Sequence, residues 1–255
     1  MLGAFAASTS TALPSTVRSI LGSRHQQYAS ETHSYTAADY VQDGLIVLYD
    51  GIENAGLGVH DFESPIWADL SENGFDVTMD FNNCEWLSNG VQCYGTGRVG
   101  ARLNCRNEYT QKGFVMSPHM EVVISSTATA GSWIWLFSLP FYGRYQCFSG
   151  YSNRYLGING LKRNVIVSTS GHPISFSCSR RKMTQDGIDL GDIVSSTNLT
   201  GLYNDITIGG SSQTNGYRYG GKIFCIRSYT RELTDEEMAW NLEIDRVRFN
   251  AGRPS

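Results

Sequence analysis

The chain has 255 residues, 41% of them hydrophobic and 17% charged, and a formal net charge of −4 at neutral pH. That balance leaves no basic footprint for nucleic acid, and no apolar run reaches the roughly 18 residues that a membrane-spanning helix needs. The 27 glycines and 12% aromatic content suit many short strands joined by tight turns, at a length that one large β domain can fill.

The first 38 residues differ from the rest. Residues 1–30 hold nine Ser or Thr, five Ala, Arg18 and Arg24, and no acid. A secretory leader would need a basic start and a longer apolar stretch than residues 2–7 provide. A transit peptide, a disordered tail and a docking arm each fit the composition. As an arm, Leu13, Val17, Ile20 and Leu21 would form a short apolar face, with Arg18 and Arg24 pairing with acceptors on a partner or on symmetry mates. That reading expects a homo-oligomer. The expected division is therefore an arm over 1–38 and a β domain over 39–255.

Strand candidates follow at 45–49, 75–79, 114–116, 120–125, 132–138, 165–168, 174–179, 206–208 and 222–229, each rich in β-branched or aromatic residues and bounded by turn residues. Residues 174–179 alternate Ile174, Phe176 and Cys178 with Ser175, Ser177 and Ser179, which predicts a strand buried on one face only. Turn signals include Ser88-Asn89-Gly90, Asn159-Gly160 and Asn215-Gly216. No repeat at a solenoid or propeller period is visible.

Two local clusters carry candidate chemistry. Asp69, Ser71, Asn73 and Asp76 place four oxygen side chains within one loop, the donor type that calcium takes. The same residues also suit a turn in which Asp69 and Asn73 bond their own backbone and Gly74 takes a positive φ. Between residues 141 and 155, Tyr142, Tyr145, Tyr151 and Tyr155 with Arg144 offer rings for stacking on sugars and a polar partner for their hydroxyls; strand core is the competing reading for these rings. Trp67, just before the acidic loop, reads as a core anchor. The six cysteines (84, 93, 105, 147, 178 and 225) show neither zinc spacing nor a dense disulfide framework. They read as small buried hydrophobes carrying free thiols, which implies folding in a reducing compartment.

The chain closes with a strand over 222–229, a turn at Arg231-Glu232-Leu233, and a helix over 235–249. Thr234 stands three residues before Glu237, the spacing at which hydroxyl and carboxylate each satisfy a free backbone donor. Met238, Leu242 and Phe249 share one side of the helix and predict a face laid on a sheet.

The closing run, with "IRSYTRELTDEE" from the end of its strand into the helix, resembles the last strand and helix of concanavalin A-like, laminin-G-like (LamG-like) domains. Residues 40–79, with the "DGI" turn and "WADLSENGFD", are similar to their opening. The resemblance implies an all-β fold: a two-sheet antiparallel jelly-roll sandwich with a C-terminal helix and an extended N-terminal arm. Relatives of this fold often hold calcium.

Some jelly rolls hydrolyse glycosides with two strand-borne carboxylates. Here the nearest pattern, Glu243-Ile244-Asp245, has Arg248 where a third acid belongs and falls on the predicted helix. Residues two apart on a helix point roughly 200° apart, whereas on a strand they share a face. Histidines 25, 33, 60, 119 and 172 are scattered, and no nucleophile elbow, zinc helix or phosphate loop is present. These observations predict a protein without enzymatic activity.

Domains with this opening and closing resemble modules of tailed-phage virions and of bacterial surface proteins. The resemblance implies a virion structural or decoration protein of head or tail, joined to other virion proteins by the arm and touching host glycans. The alternative is a bacterial surface or secreted carbohydrate-binding module.

Overall fold

The structure, a computed structural model, describes residues 34–94, 114–115, 119–125, 137–138, 146–147, 155–158, 161–164, 172–179, 182–192, 202–203, 207–209 and 220–252. Residues 35–255 form one compact unit. Among the described residues the fold is mostly antiparallel β with one α-helix, at the C-terminal end. Its main sheet has eight strands: β1 (Leu45–Asp50), β2 (Cys84–Leu87), β3 (Gly90–Tyr94), β4 (His119–Ile124), β5 (Ile174–Ser179), β6 (Lys182–Gln185), β7 (Ile188–Asp192) and β8 (Gly220–Tyr229). The order across the sheet is β7-β6-β5-β4-β8-β3-β2, with β1 also pairing β8. Shorter antiparallel pairs join 66–67 to 77–78, 114–115 to 202–203, 137–138 to both 146–147 and 207–208, and 155–158 to 161–164.

The ten-residue β8 organises the sheet. One edge pairs with β4, while the other takes β3 along Gly220–Ile223 and then β1 along Cys225–Tyr229. Where β1 ends and β3 begins, the backbones nearly touch. A Cβ on Gly51 would lie 2.3 Å from the Gly90 Cα, and one on Gly90 would lie 2.6 Å from the Ile223 carbonyl oxygen. Only glycine fits at either place.

Helix α1 (Asp235–Phe249) starts as its sequence predicts. Glu237 N–H donates to the Thr234 hydroxyl at 3.2 Å, and Thr234 N–H donates to the Glu237 carboxylate at 2.9 Å. Arg231 clamps that carboxylate with two bonds of 2.7 and 2.6 Å. Asn250, in the left-handed region at φ 59°, ends the helix. The inner face differs from the expected apolar stripe. Leu242, Ile244 and Phe249 are buried, but Asn241 and Asp245 are buried with them, and Met238 is only half-buried.

Two expectations change here. The alternating strand 174–179 is β5, yet Ser175 and Ser177 are buried along with their apolar neighbours, because α1 packs near the face that they occupy. The segment 35–38, counted with the arm, belongs to the core. Tyr35 and Ala37 pack with Tyr40, Leu48, Val123, Ile244 and Phe249, and Tyr35 meets Trp240 edge-on at 5.6 Å. Trp67 is fully buried between Tyr49 and Trp86 and donates its indole N–H to the Asp50 carbonyl at 2.9 Å. The arm residues Leu13, Val17, Arg18, Ile20, Leu21 and Arg24 lie outside the described residues.

Candidate functional site

The densest polar chemistry among the described residues lies between the sheet and α1. Cross-strand register creates it. Arg227 on β8 stands opposite Glu121 on β4, and Glu121 stands opposite Ser177 on β5, so three polar side chains form a row on one face. Arg227 Nε donates to Glu121 at 2.9 Å, and its two terminal nitrogens reach both oxygens of Asp245 on α1 at 2.6 and 2.8 Å. Its guanidinium also sits over the Tyr40 ring, 4.1 Å from the centroid. Tyr40 and Ser175 donate hydroxyl bonds to Asp245 at 2.9 and 2.7 Å. Asn241 donates its amide to Glu121 at 2.7 Å and contacts the Tyr229 hydroxyl at 2.9 Å.

Burial would raise the Glu121 carboxyl, but the Arg227 guanidinium, with His119 and Asn241 beside it, holds it at about 2. Burial raises Tyr40 well above the usual phenol range, and the Asp245 charge adds to the rise. A second buried set joins the end of α1 to the first turn after β1: Arg248 donates to Asp50 at 2.8 Å and to the Tyr35 carbonyl at 2.7 Å, and lies 2.9 Å from Glu53.

A cleft of about 220 Å³ opens beside this cluster. Ser175, Ser177, Lys182 and Thr184 form its sheet side, and Asp235, Met238 and Leu242 its helix side. Lys182 bridges Asp235 at 2.9 Å and Asp189 at 3.8 Å. Ser177 Oγ is 3.0 Å from His119 Nε2, and Glu121 is 3.4 Å from the same nitrogen. A serine–histidine–acid relay places serine and acid on opposite ring nitrogens. With both on one nitrogen, this arrangement fixes the ring between two strands and relays no proton from serine to carboxylate.

The oxygen-rich loop is used internally. Asp69 accepts from the N–H groups of Leu48, Ser71 and Phe75 at 3.0, 3.1 and 3.0 Å and from the Ser71 hydroxyl at 2.9 Å. Asp76 accepts the Asp69 N–H at 2.8 Å, and the Asn73 amide donates to the Ile46 carbonyl at 3.0 Å. Gly74 has φ 73°. Both Asp69 oxygens are thus occupied by donors of the loop and of β1. The bonds that Asp69, Ser71, Asn73 and Asp76 make are those of the hydrogen-bonded turn. Tyr142, Arg144, Tyr145 and Tyr151 lie outside the described residues. Tyr155 opens the strand at 155–158, and its side chain lies outside them too.

Sequence reasoning missed His119, Glu121, Ser175, Ser177 and Arg227 as a group. The one local signal was Arg227 itself, a cation directly after the apolar run Ile223–Ile226, which demands a counter-charge if it is buried.

Neither a family model nor a curated protein matches the chain. Among solved structures it is similar to the sialidase of Trypanosoma rangeli. The complex with sialic acid superposes with a TM-score of 0.57 and 13% identity, over 91% of this chain and 38% of that one. The complex with the inhibitor DANA gives 0.55 and 15%, over 89% and 37%. The CBM40 of Ruminococcus gnavus IT-sialidase bound to alpha2,6 sialyllactose gives 0.44 and 15%, over 60% of this chain and 96% of that one. The chain thus spans less than two-fifths of the sialidase's length, and at this identity the likeness is one of fold.

The expectation of a protein without enzymatic activity is contradicted at the level of fold, because the structures matched over about nine-tenths of this chain are parts of enzymes. A search for paired strand carboxylates presumes the two-carboxylate mechanism, and sialidases depart from it by using a tyrosine nucleophile.

Proposed function

We propose that this chain is a carbohydrate-binding β domain of a surface protein, built as a two-sheet, concanavalin A-like and LamG-like jelly roll, and that sialylated glycans are its first ligand class. The observation that carries the reading is the likeness to a sialidase solved with sialic acid over 91% of this chain. Tyr142, Arg144, Tyr145, Tyr151 and Tyr155 are the side chains assigned to the glycan. Their chemistry fits: tyrosine rings cover the apolar face of a sugar, and an arginine pairs bidentately with the carboxylate that marks sialic acid. The virion reading, with residues 1–38 docked on a capsid or tail protein, draws no support from these comparisons, and a cell-surface setting is preferred.

A glycan array probed with the purified chain tests the proposal. Retention on sialylated glycans, lost on desialylation and weakened by Arg144→Ala and Tyr151→Ala, is the expected outcome. Retention on neutral glycans alone would remove the sialic-acid part, and no retention on any glycan would overturn the whole. Incubation with a fluorogenic sialoside, read alongside, separates binding from cleavage.

A further inference from the structure

We propose that Cys84 and Cys93 are a disulfide-forming pair that staples the edge hairpin of the sheet when the chain folds in the presence of an oxidant. The two are Cα partners on β2 and β3, and both are 1% exposed. Their position in the ladder matters more than their proximity. The two-residue connection Ser88-Asn89 makes Leu87 and Gly90 the first pair of the hairpin, and Tyr94 N–H donates to the Asn83 carbonyl at 3.1 Å just beyond the last pair. Hydrogen-bonded and non-hydrogen-bonded pairs alternate along an antiparallel ladder. Counting from either end puts Cys84 and Cys93 at a non-hydrogen-bonded pair. There the Cα atoms approach to about 4.5 Å, inside the range a disulfide spans, with both side chains on one face.

The thiols are sheltered once the hairpin is packed. Cys84 donates its S–H to the Asp80 carbonyl at 3.0 Å. Burial pushes the Cys84 thiol up to about 12 and Cys93 higher still. Thiolate is the attacking species in exchange, so the folded, reduced hairpin is inert at neutral pH and the bond must form before burial. The reaction takes a low-molecular-weight disulfide as oxidant. One cysteine thiolate attacks it and releases one thiol. The second cysteine then attacks the resulting mixed disulfide and releases the other thiol, so the protein loses two hydrogens and the oxidant gains them. β2 is the outermost strand on its side of the sheet, and the bond locks an edge that is otherwise free to fray.

The full chain, reduced and unfolded in guanidinium, is diluted into a buffer containing oxidised and reduced glutathione, quenched with a thiol alkylator and mapped by mass spectrometry. A Cys84–Cys93 cross-linked peptide is the expected product, with slower hydrogen exchange across residues 84–94. The same glutathione mixture added to the already folded, reduced protein leaves both thiols free over the same time. In Cys84→Ser the refolded chain carries glutathione on Cys93 or a free thiol there, and no cross-link. Refolded protein in which both cysteines stay thiols, or pair elsewhere, overturns the proposal. Equal oxidation of the folded protein would overturn the claim that burial gates the reaction.

Discussion

Arg227 and Asp245, eighteen residues apart, meet side-on beneath the helix with both terminal guanidinium nitrogens on both carboxylate oxygens, and neither side chain is more than 1% exposed. The pair fixes α1 to the centre of the sheet. Glu121 lies on the other side of the same guanidinium, so a single cation serves two buried anions.

That sharing sets an order of sensitivity. Asp245→Leu should cost about 3–5 kcal/mol, because breaking a buried pair strands its partner. Arg227→Leu should cost more, because it strands two carboxylates. Urea unfolding at pH 7 measures both. Equal costs would mean that Glu121 finds other compensation.

The helix start and end respond separately. Thr234→Ala removes a cap and should cost on the order of 1 kcal/mol. Phe249→Ala empties a site that is 2% exposed and should cost roughly 3–5 kcal/mol. Met238→Ala, at a half-buried position on the cleft, should cost less than Phe249→Ala in the same melts.

Acid should act through Glu121. Its folded pKa, about 2, lies below its ordinary value of 4.5, so it contributes stability that is present above pH 4.5 and lost as pH falls toward 2. Asp50 runs the other way. Burial, only partly offset by Arg248, raises its carboxyl from 3.8, so its contribution is present below that value and lost as pH rises. Urea midpoints followed from pH 6 to pH 2 should fall, and Glu121→Gln should flatten that fall. An unchanged slope in the variant would remove Glu121 as its source.

Gly51→Ala should yield no soluble, cooperatively melting protein, since the added Cβ meets backbone at 2.3 Å and backbone cannot step aside as a side chain can. Gly58→Ala is the control. No atom lies within 4 Å of its Cβ, and only its φ of +72° opposes the change, so a folded protein destabilised by about 1 kcal/mol or somewhat more is expected.

Asp69→Ala should destabilise the fold by several kcal/mol, through three buried or part-buried N–H donors left unpaired at about 1–3 kcal/mol each. Calcium or a chelator should leave the melting temperature of the parent chain unchanged. A calcium-dependent rise would favour the metal reading of that loop over the turn.

The features that sequence alone determined are those whose partners are near in the chain. Thr234 and Glu237 cap each other three residues apart. Asp69 turns its loop through Ser71 and Phe75. The helical geometry that sets Glu243 and Asp245 apart also holds: Asp245 is fully buried, whereas the Glu243 side chain is 46% exposed. What tertiary structure decided was the use of the buried polar groups. Ser175 and Ser177 read as the wet face of a strand because alternation records only that one face is polar. They became buried because α1, supplied seventy residues later, covers that face. Asp245 read as a failed catalytic acid because its partner on β8 is joined to it by folding and by no local spacing. A residue's own neighbours set its backbone conformation, while the charge, solvent and hydrogen bonds that give a buried side chain its role arrive from elements which sequence pattern does not bring together.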